Sequence, residues 1–187
     1  MRTNKISVIR PQRARVFVGC EGDSEQAYTV FLSRLLEEIR KDRHLDAAVL
    51  KGGDPLSRIE YAVKIYKKRE ANRGQYMLKT VLLDRDVVGI DPKRDELFDA
   101  LVSAHNFIVL WLEPCIEGFL LRHFPGCEKA RPNTATQALG ALRGQWAHYE
   151  KPPTTVELAS KFARGDVVRA ASVEPNLCRF LDEIGFI

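Results

Sequence analysis

The sequence predicts an α/β protein built on a mostly parallel sheet of four strands with helices on both faces. Short, β-branched apolar runs alternate with segments whose apolar residues recur at spacings of three and four. Glycine, proline and aspartate cluster between these segments, where turns and helix starts are needed. The resulting order, strand and helix in strict alternation through the fourth strand, is the pattern of crossover-connected parallel strands.

Residues 15–20 form the first strand, being short, apolar and rich in β-formers. From Ser24 the period changes: Ala27, Val30, Phe31, Leu35, Leu36 and Ile39 mark one helical face, with Asp23 or Ser24 as its N-cap. A second strand spans 47–50 and stops at Gly52-Gly53-Asp54-Pro55. A helix then starts near Pro55 and Ser57, runs to about Asn72 and closes at Gly74. Residues 77–83 are the third strand, and Asp91-Pro92 opens a helix through about Ala104. The fourth strand is 106–112, halted by Glu113-Pro114, and 116–124 reads as a buried helix broken at Pro125-Gly126. Two or three short helical patterns follow. The organisation expected is a basic arm over 1–14, an α/β core over 15–126, and a helical extension of the same domain over 127–187 that crosses one end.

Composition excludes several classes. The 187 residues are 45% hydrophobic and 29% charged, enough for a real core. No apolar stretch approaches the roughly 20 residues that span a bilayer. The basic start, Met1-Arg2-Thr3-Asn4-Lys5, has no apolar signal segment after it. Cys20, Cys115, Cys127 and Cys178 are widely spaced, which argues against a zinc site or a disulfide framework and for the cytoplasm. The net charge of +4 is modest, but it is unevenly placed. Arg2, Lys5, Arg10, Arg13 and Arg15 precede any acidic residue, and Lys64, Lys67, Lys68, Arg69 and Arg73 are interrupted only by Glu70. Each group is either a solvated surface or cationic ground for a polyanion.

Two acidic motifs stand where chemistry is expected. Glu21-Gly22-Asp23-Ser24-Glu25 follows the first strand, and Asp84-Arg85-Asp86 follows the third. Open parallel sheets bind ligands beyond the carboxyl ends of their strands. Asp84 and Asp86, two residues apart on an extended segment, share a face. Three carboxylates, Glu21, Asp84 and Asp86, repel one another unless a cation lies between them, and all-oxygen sites suit Mg²⁺, with Mn²⁺ as its substitute. Such an ion polarises a phosphoryl oxygen and activates water. Gly22 allows close backbone approach, and Glu25, a helical turn on, is placed to add or orient a ligand.

These motifs, with Glu113-Pro114-Cys115-Ile116-Glu117-Gly118-Phe119-Leu120-Leu121-Arg122-His123-Phe124, resemble those of the RloB-like proteins, of the Rossmann-like Toprim fold. The resemblance covers about residues 14–126. It implies that Glu21 is the Toprim glutamate, that Asp84 and Asp86 bind the metal, and that Glu25 and Glu117 are supporting acids. It further implies a Mg²⁺-dependent nuclease acting on DNA or RNA in bacterial phage defence, with a partner defence protein or a homodimer as the assemblies to consider. The chain departs from the family at Glu113, where asparagine is usual, and at Ile116 and Phe119, where phenylalanine and tryptophan are usual. Glu113 is either an added ligand or a solvated strand end.

Other residues have plainer readings. His123 on an apolar helix is either a hydrogen-bonded core residue or a catalyst. Asp54 starts a helix or lines the site, Lys51 is placed to neutralise an anion, and Arg85 faces away from its neighbours toward another acid. Arg122 is a helix-surface residue or a phosphate contact, and Cys20 a small buried residue. Two rival functions remain. The segment 81–88 also resembles the nucleophile motif of haloacid-dehalogenase-type phosphatases, with Asp84 attacking phosphate, Asp86 as acid/base and Gly165-Asp166 echoing a later motif. That motif belongs on a first strand, and here it is on the third. The other rival is a non-catalytic module that binds nucleic acid or a protein.

Overall fold

The computed structural model describes residues 13–85 and 91–187. Its centre is a four-stranded sheet in the order β2-β1-β3-β4, with every neighbouring pair parallel. The strands are β1 (Ala14–Cys20), β2 (Arg43–Val49), β3 (Leu78–Asp84) and β4 (Phe107–Leu112). Helices α1 (Asp23–Glu38), α2 (Pro55–Arg73) and α3 (Pro92–His105) make the crossovers. The expected arm of 1–14 lies outside the described residues up to position 12, and Ala14 already belongs to β1.

Side-chain alternation divides the core into two layers. Val16, Val18, Cys20, Leu82, Ile108, Leu110 and Leu112 face α1, whereas Phe17, Val81, Leu83 and Phe107 face α2 and α3. Cys20 is fully buried, as expected of a small apolar side chain, and burial pushes its thiol up to about 12. The strand and helix alternation is therefore as the sequence predicts. The boundaries shift where tertiary contacts intervene. β2 begins at Arg43, not at 47, because its polar residues find partners: Asp46 accepts from Arg15 at 2.8 Å and Arg69 at 2.7 Å. The α1 N-cap is Gly22 rather than Asp23 or Ser24, and the Glu25 carboxylate accepts the Gly22 N–H at 2.7 Å. α2 closes at Gly74 in a positive-φ conformation (φ 81°) that favours glycine.

The helix after β4 is shorter than expected. α4 (Ile116–Leu121) ends three residues early, and Arg122, His123 and Phe124 continue through i→i+3 turns into Pro125. Gly118 packs so tightly on the Glu113-Pro114 turn that a Cβ there would lie 2.6 Å from the Glu113 carbonyl oxygen. Arg122 is a correction. Neither on the surface nor available to phosphate, it is fully buried and ion-paired to Glu174.

The extension also differs from expectation. It comprises α5 (Ala135–Gln145), α6 (Thr155–Lys161), α7 (Arg164–Ala171) and α8 (Pro175–Glu183). Instead of crossing one end, these helices complete the α1 layer, with Leu142, Trp146, Leu158, Phe162, Val167 and Phe180 in the same core as β1 and β4. No helix among the described residues is long and apolar enough to cross a membrane.

His123 lies at the heart of that layer, ringed by Tyr28, Phe119 and Phe162. Its Nε2 meets the Tyr28 hydroxyl at 2.9 Å and its Nδ1 the Phe119 carbonyl at 3.1 Å. A neutral ring protonated on Nδ1 satisfies both bonds, so the core reading holds. Burial lowers its pKa from 6.5 to about 4, with the Phe119 carbonyl opposing. The unfolded chain therefore takes up a proton at this position between those values while the folded one does not. The stability tied to the neutral ring is complete above about pH 6.5 and is lost as pH falls toward 4. Between pH 7 and pH 5 the wild type is expected to lose about 2 kcal/mol more than His123→Gln. Urea midpoints at the two pH values, compared between the proteins, check this; parallel losses would refute it.

Candidate functional site

The chain passes from β1 outward to β2, then returns across β1 to β3. The strand order thus reverses between β1 and β3, and a doubly wound sheet opens its ligand crevice at that point. Glu21 follows β1 and Asp84 ends β3, so these two acidic residues flank the crevice. The ladder extends to them: the Glu21 N–H donates to Leu82 O at 3.2 Å and the Arg85 N–H to Leu112 O at 3.1 Å.

Glu21 and Asp84 are joined directly. The Asp84 N–H donates to Glu21 Oε2 at 2.8 Å, and Glu21 Oε1 meets the Arg58 guanidinium at 2.8 Å. Arg58 comes from the first turns of α2, whose N-terminus points at the same edge. Glu25 lies close by, 4% exposed. Burial raises its carboxyl pKa and the Glu21 charge adds to the rise, while its backbone hydrogen bonds and Lys151 oppose it.

Glu117 is brought to this edge by α4 and is 3% exposed. It accepts from the Tyr149 hydroxyl at 3.2 Å and pairs with Lys151 Nζ at 3.0 Å. Burial opposes its ionisation, but the Cys115 thiol and Lys151 outweigh it, so the carboxyl sits below its ordinary range. Lys151 is correspondingly held above its ordinary value: burial opposes, and Glu117 and then Asp84 prevail. One ammonium therefore pairs with Glu117, and its charge also acts on Asp84 and Glu25. Glu117 is an ionised partner of Lys151, which leaves it no proton to donate.

Lys151→Ala leaves a buried carboxylate with a hydroxyl and a thiol as its remaining donors. The variant is expected to lose about 2 kcal/mol at pH 7. Glu117, freed of Lys151, then protonates at higher pH, so the deficit shrinks toward pH 4. Urea melts at both pH values test this, and a deficit that does not depend on pH would sink it.

Asp86, the third expected ligand, lies outside the described residues. Among the described residues no group of three or more His, Cys, Asp or Glu side chains is placed to hold a metal ion. The donor chemistry nevertheless suits a hard cation, since Glu21 and Asp84 offer carboxylate oxygens from adjacent strands.

Arg85 turns toward Glu113 at 3.7 Å, both half exposed, which suits a solvated strand end. Asp54 caps α2, accepting from the Ser57 N–H at 3.3 Å and from Arg94 at 2.7 Å. Lys51 is exposed just beyond β2. Asp166 caps α7 through the Ala163 N–H at 2.8 Å and pairs with Arg169.

Sequence reasoning missed Arg58, Cys115, Tyr149 and Lys151 as parts of the site. Arg58 carried a signal, being in the opening turns of a crossover helix that must start at this edge. Tyr149 and Lys151 carried none, lying 128 and more residues from Glu21 in a segment without a periodic pattern. Comparison with protein-family models, curated proteins and solved structures gave no match.

Proposed function

We propose that this protein is a divalent-metal-dependent phosphodiesterase of the Toprim type that cleaves nucleic acid. The observation that carries this reading is the pairing of Glu21 and Asp84 across the switch point of a parallel sheet, with the buried Glu25 beside them. Glu21, Asp84 and Asp86 are the residues that would hold Mg²⁺, or Mn²⁺ in its place. When bound, the ion supplies Lewis-acid activation of phosphate and water. Glu25, with its raised pKa, is suited to taking a proton at the edge of the crevice. Arg58 and Lys151 present cationic groups to a phosphodiester, so both signs of charge needed for the reaction meet at this edge. The setting in bacterial phage defence rests on the RloB-like resemblance of these same motifs.

One observation favours a second reading. Arg58 and Lys151 already neutralise Glu21 and Glu117, as they would in a module that binds nucleic acid without cutting it. Labelled DNA and RNA incubated with the purified protein in Mg²⁺, Mn²⁺ or EDTA separate the two. Cleavage that requires metal supports the phosphodiesterase, and binding without cleavage in any metal supports the module. A phosphoaspartate trapped at Asp84 would overturn both in favour of a phosphatase.

A further inference from the structure

Strand β2 is an edge of the sheet, and α2 packs on the side of it that carries Ala48. Between them is a groove of about 630 Å³. Its α2 wall is a single stripe, Tyr61, Ile65, Lys68 and Asn72 at helical spacing, with Arg69 and Arg73 alongside and Val49 of β2 on the opposite rim. The groove begins one helical turn from Arg58, which touches Glu21, and follows α2 away from the crevice for about 18 Å at 1.5 Å per residue.

Its charge is strongly positive. α2 carries six basic side chains, Arg58, Lys64, Lys67, Lys68, Arg69 and Arg73, against Glu60 and Glu70. Arg58 and Arg69 are ion-paired, to Glu21 and Asp46. Lys64, Lys67, Lys68 and Arg73 are exposed and enter no ion pair among the described residues. The acid in the groove, Asp46, is answered by both Arg15 and Arg69. Uncompensated cations along one helix, with a half-buried tyrosine among them, match the two needs of a nucleic-acid single strand: charge for its phosphates and a ring face for its bases.

We infer that the α2–β2 groove binds a single strand of nucleic acid and leads it to the crevice at Glu21 and Asp84. Lys64, Lys68 and Arg73 hold phosphates, and Tyr61 stacks on a base near the crevice. The contacts are to phosphate and base face, so DNA and RNA strands bind alike. A duplex keeps its bases stacked and paired and so offers Tyr61 no free base face. This inference rests on the nucleic-acid reading above but not on cleavage.

The test is fluorescence anisotropy with labelled oligo-dT and oligo-U of about 15 nucleotides, in EDTA, on the full chain. The charge reversal Lys64→Glu/Lys68→Glu/Arg73→Glu changes exposed side chains, and its melting temperature verifies folding. It is expected to weaken binding of both strands at least about tenfold and to lower the slope of log affinity against log salt by about 2. Tyr61→Ala is expected to weaken binding about tenfold with the salt slope unchanged. Blunt duplex should compete poorly.

Wild-type affinity and slope in the charge reversal, equal competition by duplex, or no binding of single strands by the wild type would each overturn the groove. The two proposals fail separately. Binding lost in the groove variants, with no cleavage in any metal, leaves the groove standing and removes the phosphodiesterase. Metal-dependent cleavage with KM unchanged by the charge reversal does the opposite.

Discussion

Replacing Asp84 with alanine is expected to abolish metal-dependent cleavage, by about a hundredfold or more, while the protein stays folded. Asp84 ends β3 beside the crevice, and its N–H, bonded to Glu21 Oε2, survives the substitution. Losing the carboxylate therefore removes one of the oxygens proposed to hold the metal and leaves the hydrogen bond from the end of β3 to Glu21 in place. Glu21→Gln should act similarly, with one difference. It also uncouples Arg58, whose guanidinium then faces the crevice without its 2.8 Å partner. Cleavage of labelled strands in Mg²⁺, with melting curves for each variant, measures both effects. Full activity in Asp84→Ala would end the phosphodiesterase reading at this site.

Arg122→Ala is expected to give the largest loss of stability, about 3–5 kcal/mol, or a melting temperature lower by about 10 °C. The guanidinium is fully buried, ion-paired through Nε to Glu174, and donates to the carbonyls of Glu113 at 2.9 Å and Gly118 at 2.8 Å. Burial pulls its pKa down, and Glu174 keeps it charged. Truncation strands two carbonyls and leaves Glu174, 16% exposed, with Arg131 at 3.2 Å. Removing both charges is less harmful than removing one, so Arg122→Met/Glu174→Gln should recover part of the loss. Thermal and urea melts of the single and double variants test this. A single variant within about 1 kcal/mol of wild type would show that the buried pair matters little.

The parts of the site that were legible in the sequence share a physical reason. Glu21 and Asp84 are fixed by chain position alone, because each directly follows a strand and parallel strands end together. Asp54 beside a proline, Gly74 at a helix end and Cys20 within an apolar run are likewise local statements. Local period also gave the four strands and the crossover helices. It failed where a neighbour distant in sequence supplied what the local pattern lacked. The start of β2 at Arg43 looks too polar for a strand until Arg15 and Arg69 meet Asp46. Arg122 looks like a surface residue until Glu174, 52 positions later, enters the same layer.

By itself, then, the sequence determined the layer architecture and the strands that carry the acidic motifs. These follow from residue type and period, which act over one helical turn or one strand. Only the tertiary structure decided the strand order that puts the crevice between β1 and β3. It also brought Arg58 and Lys151 to the carboxylates, and folded the last sixty residues into the core rather than across its end. Charge pairing and burial are properties of neighbours in space, and a chain reveals such neighbours only once it has closed.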